Sequence, residues 1–220
     1  MEIVLSRRDI SKALDLGCGG GHVSYRAALY AAHVTACDVT PSMLDAVART
    51  AREKGLNNIE TCLAPAEKLP FGDASFDAVL CRFSAHHWVD FSGGLREARR
   101  VADMGAVGVF IDTVAPPGSV SDTHLQAMEL LRDPSHVRNY AVAQWCGALA
   151  EAGFAVQSCT TRRVRMEFES WVKRTHTPVH MVEAILGLQR GAPDIVGRYF
   201  AIAPDGSFDL DVATMIVRAI

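Results

Sequence analysis

The 220-residue sequence predicts an α/β fold: a doubly wound, seven-stranded sheet, mostly parallel with an antiparallel last strand, and helices on both faces. Three observations predict it. The stretch Leu14-Asp15-Leu16-Gly17-Cys18-Gly19-Gly20-Gly21-His22 is entered by a strand-like run and left by a helical one from about residue 23. Strand, glycine turn and helix in that order build a ligand-binding corner, because glycine takes φ > 0 and lets backbone approach a ligand. A second run of small and β-branched residues, 33–37, ends in Asp38, about 20 residues past the loop, where an acid can accept both hydroxyls of a ribose. The plainer reading of Asp38 is the start of the next helix. Apolar runs and helical stretches then keep alternating.

Each element has its own signal. The first strand covers about 12–16, and an alanine-rich helix over 23–31 suits close packing on a sheet. A helix over 42–54 has Thr40 or Ser42 as cap, Pro41 in its first turn and Gly55 at its end. Met43, Val47 and Ala51 give it an inward stripe. Strands are expected over 59–63, 76–81 and 106–111, with a turn at 69–73 and a helix over 91–102 buried through Leu95, Ala98 and Val101. An insertion over 114–138 opens on Pro116-Pro117-Gly118 and has helical spacing at Leu125, Met128 and Leu131. A helix over 142–151 turns Trp145 and Leu149 inward and leads to a strand over 155–168. A helix from Pro178 carries Val182, Ile185 and Leu186 on one face and breaks at 191–194; the last strand is 208–217. No repeat, linker or low-complexity tract appears, so residues 1–220 read as one domain. Segments 114–138 and 170–206 are candidate lid, substrate or dimer segments. Little precedes residue 12, so the expectation is either a more open pocket or cover by later segments or a second subunit.

Hydrophobic residues make up 49% and the formal net charge is −3, which provides a core and no basic field for nucleic acid. The one basic run, Arg162-Arg163-Val164-Arg165, suits the solvated side of a strand. Six cysteines form no Cys-x-x-Cys pair and no zinc-ligand spacing, so no metal site is expected. Cysteines beside strands suggest a reducing, cytoplasmic setting. No signal-peptide core and no run long enough for a membrane span are found.

The dinucleotide fingerprint places glycines first, third and sixth; counted from Gly17, the sixth position is His22. The Gly-Lys-Ser/Thr ending of a P-loop is also missing. What remains, Asp15-x-Gly17-x-Gly19-x-Gly21, resembles the cofactor loop of class I S-adenosyl-L-methionine (SAM) dependent methyltransferases, a Rossmann-like family. Cys37-Asp38-Val39-Thr40-Pro41-Ser42-Met43-Leu44 is similar to that family's acidic loop after its second strand. Ala66-Glu67-Lys68-Leu69-Pro70-Phe71 and Ser75-Phe76-Asp77-Ala78-Val79 are similar to the segments around its third and fourth strands. The likeness covers the first half of the chain and points to the branch with the quinone-biosynthesis C-methyltransferases (methyltransferase type 11).

The resemblance implies SAM as cofactor and S-adenosyl-L-homocysteine as product. It implies that Asp15 acts on the methionine ammonium through water or backbone, that Gly17, Cys18, Gly19 and Gly21 form the loop beside the methionine chain, and that Asp38 holds ribose. Val39, Thr40 and Met43 flank the adenosine, and Arg82 passes its backbone by the methionine. Many relatives have an aspartate at Pro65, so adenine recognition falls to the Ala66 backbone and Glu67. Strand tips on the ligand side also carry Arg82-Phe83-Ser84-Ala85-His86-His87-Trp88. His86 or His87 is the candidate base, and a structural histidine is the plainer alternative. Trp88 walls the pocket or simply packs. Arg132, His136 and Arg138 are candidates to hold an anionic substrate, against the alternative of solvated loop charges.

The functional expectation is methyl transfer to a small organic acceptor, C- or O-methylation ahead of N-methylation, by a protein that can form a homodimer. A SAM-binding sensor or scaffold without turnover is the alternative. A nicotinamide oxidoreductase is disfavoured by His22.

Overall fold

A computed structural model of the chain describes residues 1–6 and 8–220. The elements in chain order are α1 (Glu2–Leu5), β1 (Ile10–Leu16), α2 (His22–Ala27), β2 (Ala31–Asp38), α3 (Pro41–Glu53), β3 (Ile59–Leu63), β4 (Phe76–Arg82), a 3-10 turn (Ala85–His87), α4 (Phe91–Val101), β5 (Ala102–Thr113), α5 (Ser119–Arg132), α6 (Val142–Ala152), β6 (Phe154–Met166), α7 (Phe168–Lys173), α8 (Val179–Arg190), α9 (Asp194–Phe200) and β7 (Phe208–Ala219). The seven strands stand in the order β3-β2-β1-β4-β5-β7-β6. The pairs β1–β2, β1–β4, β2–β3 and β4–β5 are parallel. The direction of β7 follows from its contacts. Gly105 and Gly108 of β5 face Arg218 and Val217, while the Val114 N–H donates to the Asp211 carbonyl, so numbers rise on one strand as they fall on the other. The Ile220 N–H donates to the Gly153 carbonyl and Arg163 and Arg165 pair with Asp211 and Asp209, which makes β7 antiparallel to β6 as well.

The chain divides into two compact units. The first comprises Met1–Asp112, Trp145–Thr160 and Thr214–Ile220; the second comprises Thr113–Gln144 and Thr161–Ala213. Both candidate lid or dimer segments fall in the second. In the first unit, β1, β4 and β5 run as nearly continuous apolar strands, as strands covered on both faces must. Leu95, Ala98 and Val101 of α4 are fully buried, as their spacing predicts. Phe110 packs on Trp145 and Phe154 at 6.0 and 5.9 Å between ring centres. The second unit has its own core, with Leu125 and Met128 of α5, Trp171 of α7, Ile185 of α8, Phe200 of α9 and Phe208 packed together.

Two sequence expectations change. The buried stripe of α3 is Leu44, Val47 and Ala51, and Met43 is 43% exposed. Leu44, Val47 and Ala51 form an i, i+3, i+7 row, and Met43 lies at its margin, about 100° round the helix from Leu44. Two short helices, α7 and α9, occupy stretches where the sequence shows no helical period; each is too brief to display one.

Leu95→Ala removes a side chain with no solvent exposure. It should cost about 2–5 kcal/mol, read as a lower urea midpoint at unchanged slope.

Candidate functional site

Every part of the site described here lies in the first unit, at the carboxyl tips of β1, β2, β4 and β5, the end where ligands gather in a doubly wound sheet. The bend after β1 needs its glycines. Gly17, Gly19 and Gly21 have φ of 71, 48 and 78°, the left-handed region that side chains resist. The N–H groups of Gly17 and Cys18 both donate to the Cys37 carbonyl at 2.9 Å, fastening the bend to the end of β2. A Cβ on Gly17 would stand 1.7 Å from the Ser84 hydroxyl, whereas one on Gly19 would meet nothing within 4 Å. The bend is therefore packed hard on one side and open on the other.

Asp38 completes the corner. Its Oδ2 accepts from the Gly19 N–H at 2.8 Å and its Oδ1 from the Thr40 N–H at 2.9 Å. A carboxylate has about four lone-pair sites, so two backbone donors leave half its capacity for a ligand. Around Asp38 lie apolar side chains that the core does not absorb: Val39 is 62% exposed and Leu63, its neighbour at the tip of β3, 59%. With Met43 they give an apolar flank beside a polar anchor, the composition of a small-molecule site.

Asp15 is the buried counterpart. It is 1% exposed and its Oδ2 accepts from the Ser24 hydroxyl at 2.6 Å. Its Oδ1 has no hydrogen-bond partner among the described residues. Burial pushes the carboxyl up to about 7, with Asp38 adding to the rise and Ser24 and Arg82 opposing it. A lone buried acceptor beneath an open glycine bend suits a cation. Cys18 is unsuited to nucleophilic chemistry, since burial raises its thiol far above the usual range.

Beyond β4 the chain turns sharply. Phe83 has φ of 53°, with its N–H donated to the Ile111 carbonyl and the Arg82 guanidinium 4.7 Å from its ring centre. Ser84 lies against Gly17 and accepts from the Trp88 ring N–H at 3.2 Å. His86 Nδ1 stands 2.6 Å from Asp112 Oδ1. Asp112, near the end of β5, is 1% exposed, and the His86 side chain 13%. The rings of His86 and His87 lie 4.2 Å apart, tilted by 46°.

Other expected residues are placed as follows. Trp88 is buried against Gly94, where an added Cβ would come 2.4 Å from its ring, so packing accounts for it. Ala66 is buried, and Glu67 accepts from the Asp90 N–H at 3.2 Å, at the start of α4. In the second unit, Arg132 pairs with Glu129 and covers the Trp171 ring, Arg138 pairs with Asp122, and His136 Nε2 lies 2.9 Å from Gln126 Oε1. His136 and Arg138 share one network, because Gln126 donates to Asp122 at 2.7 Å, while Arg132 is held apart by Glu129.

Sequence reasoning passed over Ser24, Leu63 and Ser84, and gave Asp112 no role. Ser84 against Gly17 and Asp112 against His86 are contacts across strands that a single sequence does not carry, whereas Ser24 reaches Asp15 through the nearby helix α2. A cavity of about 610 Å³ lies elsewhere, at the amino ends of the strands by Lys12, His33, Ile59 and Phe76.

Residues 14–110 match the family described as Methyltransferase domain. The chain is 41% identical to the uncharacterized protein YafE of Escherichia coli K12 over 89% of its own length and 95% of YafE. It is 32% identical to the uncharacterized methyltransferase YcgJ of Bacillus subtilis 168, over 87% of this chain and 76% of YcgJ. The crystal structure of YcgJ superposes with a TM-score of 0.93 at 29% identity, covering 99% of this chain and 96% of that one. The ubiquinone/menaquinone biosynthesis C-methyltransferase UbiE of Sinorhizobium fredii is 39% identical over 103 residues, 45% of this chain and 40% of UbiE.

Two outcomes test the site's geometry. Gly17→Ala meets both the Ser84 hydroxyl and a left-handed backbone, and should lose about 2–4 kcal/mol of stability. Gly19→Ala meets the backbone term alone and should lose about 1–2 kcal/mol. The second outcome concerns Asp15, whose native pKa lies above its unfolded value of 3.8. Between about pH 4 and 7 the native state holds the extra proton, so this group's contribution falls as pH rises through that window. Denaturation midpoints of Asp15→Asn should show a flatter pH slope there than wild type.

Proposed function

The chain belongs to the class I methyltransferase family, and from that premise we propose that it moves a methyl group from SAM to a small organic acceptor, by C- or O-methylation. The observation that carries the reading is the hydrogen bond from the Gly19 N–H to Asp38 Oδ2, which brings acid and bare bend together at neighbouring strand tips. The residues fit the cofactor the family implies. The spare lone pairs of Asp38 suit a cis-diol. Val39, Met43 and Leu63 offer an apolar flank to adenine, and the reading assigns its edge to Ala66 and Glu67. Gly17, Cys18, Gly19 and Gly21, with the Arg82 backbone, line the amino-acid end. The unpaired oxygen of Asp15 answers an ammonium.

When bound, SAM supplies a methyl group already activated on a sulfonium. The work left to the chain is to bind, orient and exclude water, and alignment alone can supply roughly 7–11 kcal/mol in favourable intramolecular cases. Thr40, capping α3 with its N–H on Asp38, holds the ribose acid in place. Of the two histidines, His86 suits the base, because a buried carboxylate fixes its ring. The net charge of −3 supports a small acceptor over a nucleic acid.

Calorimetry with S-adenosyl-L-homocysteine tests the reading. The folded protein should bind it, and Asp38→Ala should weaken binding by about 1.5–3 kcal/mol, the scale of hydrogen bonds to a charged group. No binding by the folded wild type ends the proposal.

A further inference from the structure

The amino-acid end of SAM carries an ammonium and a carboxylate on one carbon, so a site for it must answer both charges. The unpaired oxygen of Asp15 answers the ammonium. The carboxylate needs donors, and the glycine bend has few left to give. The N–H groups of Gly17 and Cys18 both go to the Cys37 carbonyl, and that of Gly21 goes to the Cys18 carbonyl. The Gly19 N–H goes to Asp38 Oδ2. Of the five N–H groups in residues 17–21, four are thus spent inside the protein, and only that of Gly20 is left. A bend of this kind commonly lends its backbone to an anion. Here most of that backbone is occupied in holding the bend together.

One side-chain donor touching the bend is unspent. Ser84, the second residue past β4, packs against Gly17, where an added Cβ would stand 1.7 Å from its hydroxyl. A hydroxyl has one proton to give and two lone pairs. The Trp88 ring N–H donates to one lone pair at 3.2 Å, and the Ser84 proton has no acceptor among the described residues. Because Trp88 donates, that proton must point away from the indole. Trp88 is itself held in place. It is 6% exposed, and its ring lies on Gly94 of α4, where an added Cβ would come 2.4 Å from it. A brace therefore runs from α4 through Trp88 and Ser84 to the bend, all within the first unit.

We propose, resting on the SAM reading above, that the Ser84 hydroxyl donates to the carboxylate at the amino-acid end of the cofactor, and that Trp88 is the positioning residue that orients it. Asp15 and Ser84 then divide the work. A buried acid takes the positive group, and a neutral donor takes the negative one. The Asp38 corner holds the adenosine part and is blind to this difference. The ligand class that follows is adenosine joined through sulfur to a chain ending in a carboxylate. A 5′-thionucleoside without that chain gains nothing from Ser84.

Calorimetry on the full-length protein with three ligands tests the assignment. The first is S-adenosyl-L-homocysteine. The second is its deaminated analogue, which keeps the carboxylate. The third is 5′-methylthioadenosine, which lacks the amino-acid chain. Ser84→Ala should weaken binding of the first two about tenfold or more, the scale of a hydrogen bond to a charged group, and leave the third unchanged. Trp88→Phe keeps a buried ring but deletes the N–H; it should weaken the same two by a smaller factor and again spare the third. Thermal midpoints check that each variant is folded, and Ser84→Ala, which removes one oxygen from a half-buried side chain, decides the matter if Trp88→Phe is not. Unchanged affinity for S-adenosyl-L-homocysteine in Ser84→Ala overturns the proposal. An equal loss for all three ligands also overturns it, since Ser84 then shapes the bend without reaching the carboxylate. A loss that spares the deaminated analogue assigns the hydroxyl to the ammonium and overturns it too. Folded wild type that binds none of the three sinks the SAM reading itself, whereas wild type and Ser84→Ala binding all three alike sinks only the Ser84 assignment.

Discussion

One carboxylate stitches the ligand end of this sheet. Asp38 ends β2, and its two oxygens take the backbone N–H groups of Gly19 and Thr40, one from each neighbouring connection. The first bond fixes the bend after β1 and the second fixes the entry to α3. Without it, a loop of three left-handed glycines has little to hold it open, since glycine loses the most freedom on folding. The two bonds that the bend donates to the Cys37 carbonyl act in the same direction, one residue earlier on the same strand. The acid assigned to ribose in the proposed function is therefore also the part that shapes the bend beside it.

Around it, the sheet interior sets the chemistry. β1, β4 and β5 are apolar for most of their length and become polar only at their tips. Asp15 and Asp112 sit at that boundary, both almost wholly buried, and both reach Cys81 electrostatically, whose thiol burial pushes up first and foremost. Two acids in the same low-polarity layer meet different fates because their partners differ. Ser24 gives Asp15 one neutral donor and leaves the other oxygen unmet. His86 gives Asp112 a ring that can carry positive charge.

The core of the site was legible because it is local. The glycines and the helix-start proline act within a few residues of their own positions, and Asp38, nineteen residues past Gly19, stands out because the strand–turn–helix order brings adjacent strand tips together. Val47 and Ala51 were read correctly as core, yet Met43 was not, because adjacent apolar Met43 and Leu44 both complete the stripe and only docking on the sheet chooses between them. Ser84 against Gly17 and Asp112 against His86 are contacts across strands, set by register, which a single sequence does not print. Trp88 could be named but not assigned, since the Gly94 surface it covers is defined only after α4 has docked. In the second unit, Glu129 and Arg132 are an i, i+3 pair of α5, whereas the Arg138–Asp122 pair spans sixteen residues and shows only once the chain has folded back.

The placement of β7 bears on how the chain reaches this state. It is last of the seven strands in sequence but stands between β5 and β6, antiparallel to both. Until it arrives, β5 and β6 each lack a bonded neighbour on the side it will occupy. As the ribosome extrudes the chain, six strands are available before the sheet can close, and two unsatisfied edges wait on the seventh. Such edges recruit other chains when they linger. The sheet is thus completed from its middle rather than its rim, and losing β7 would leave both of its neighbours unpaired on that side.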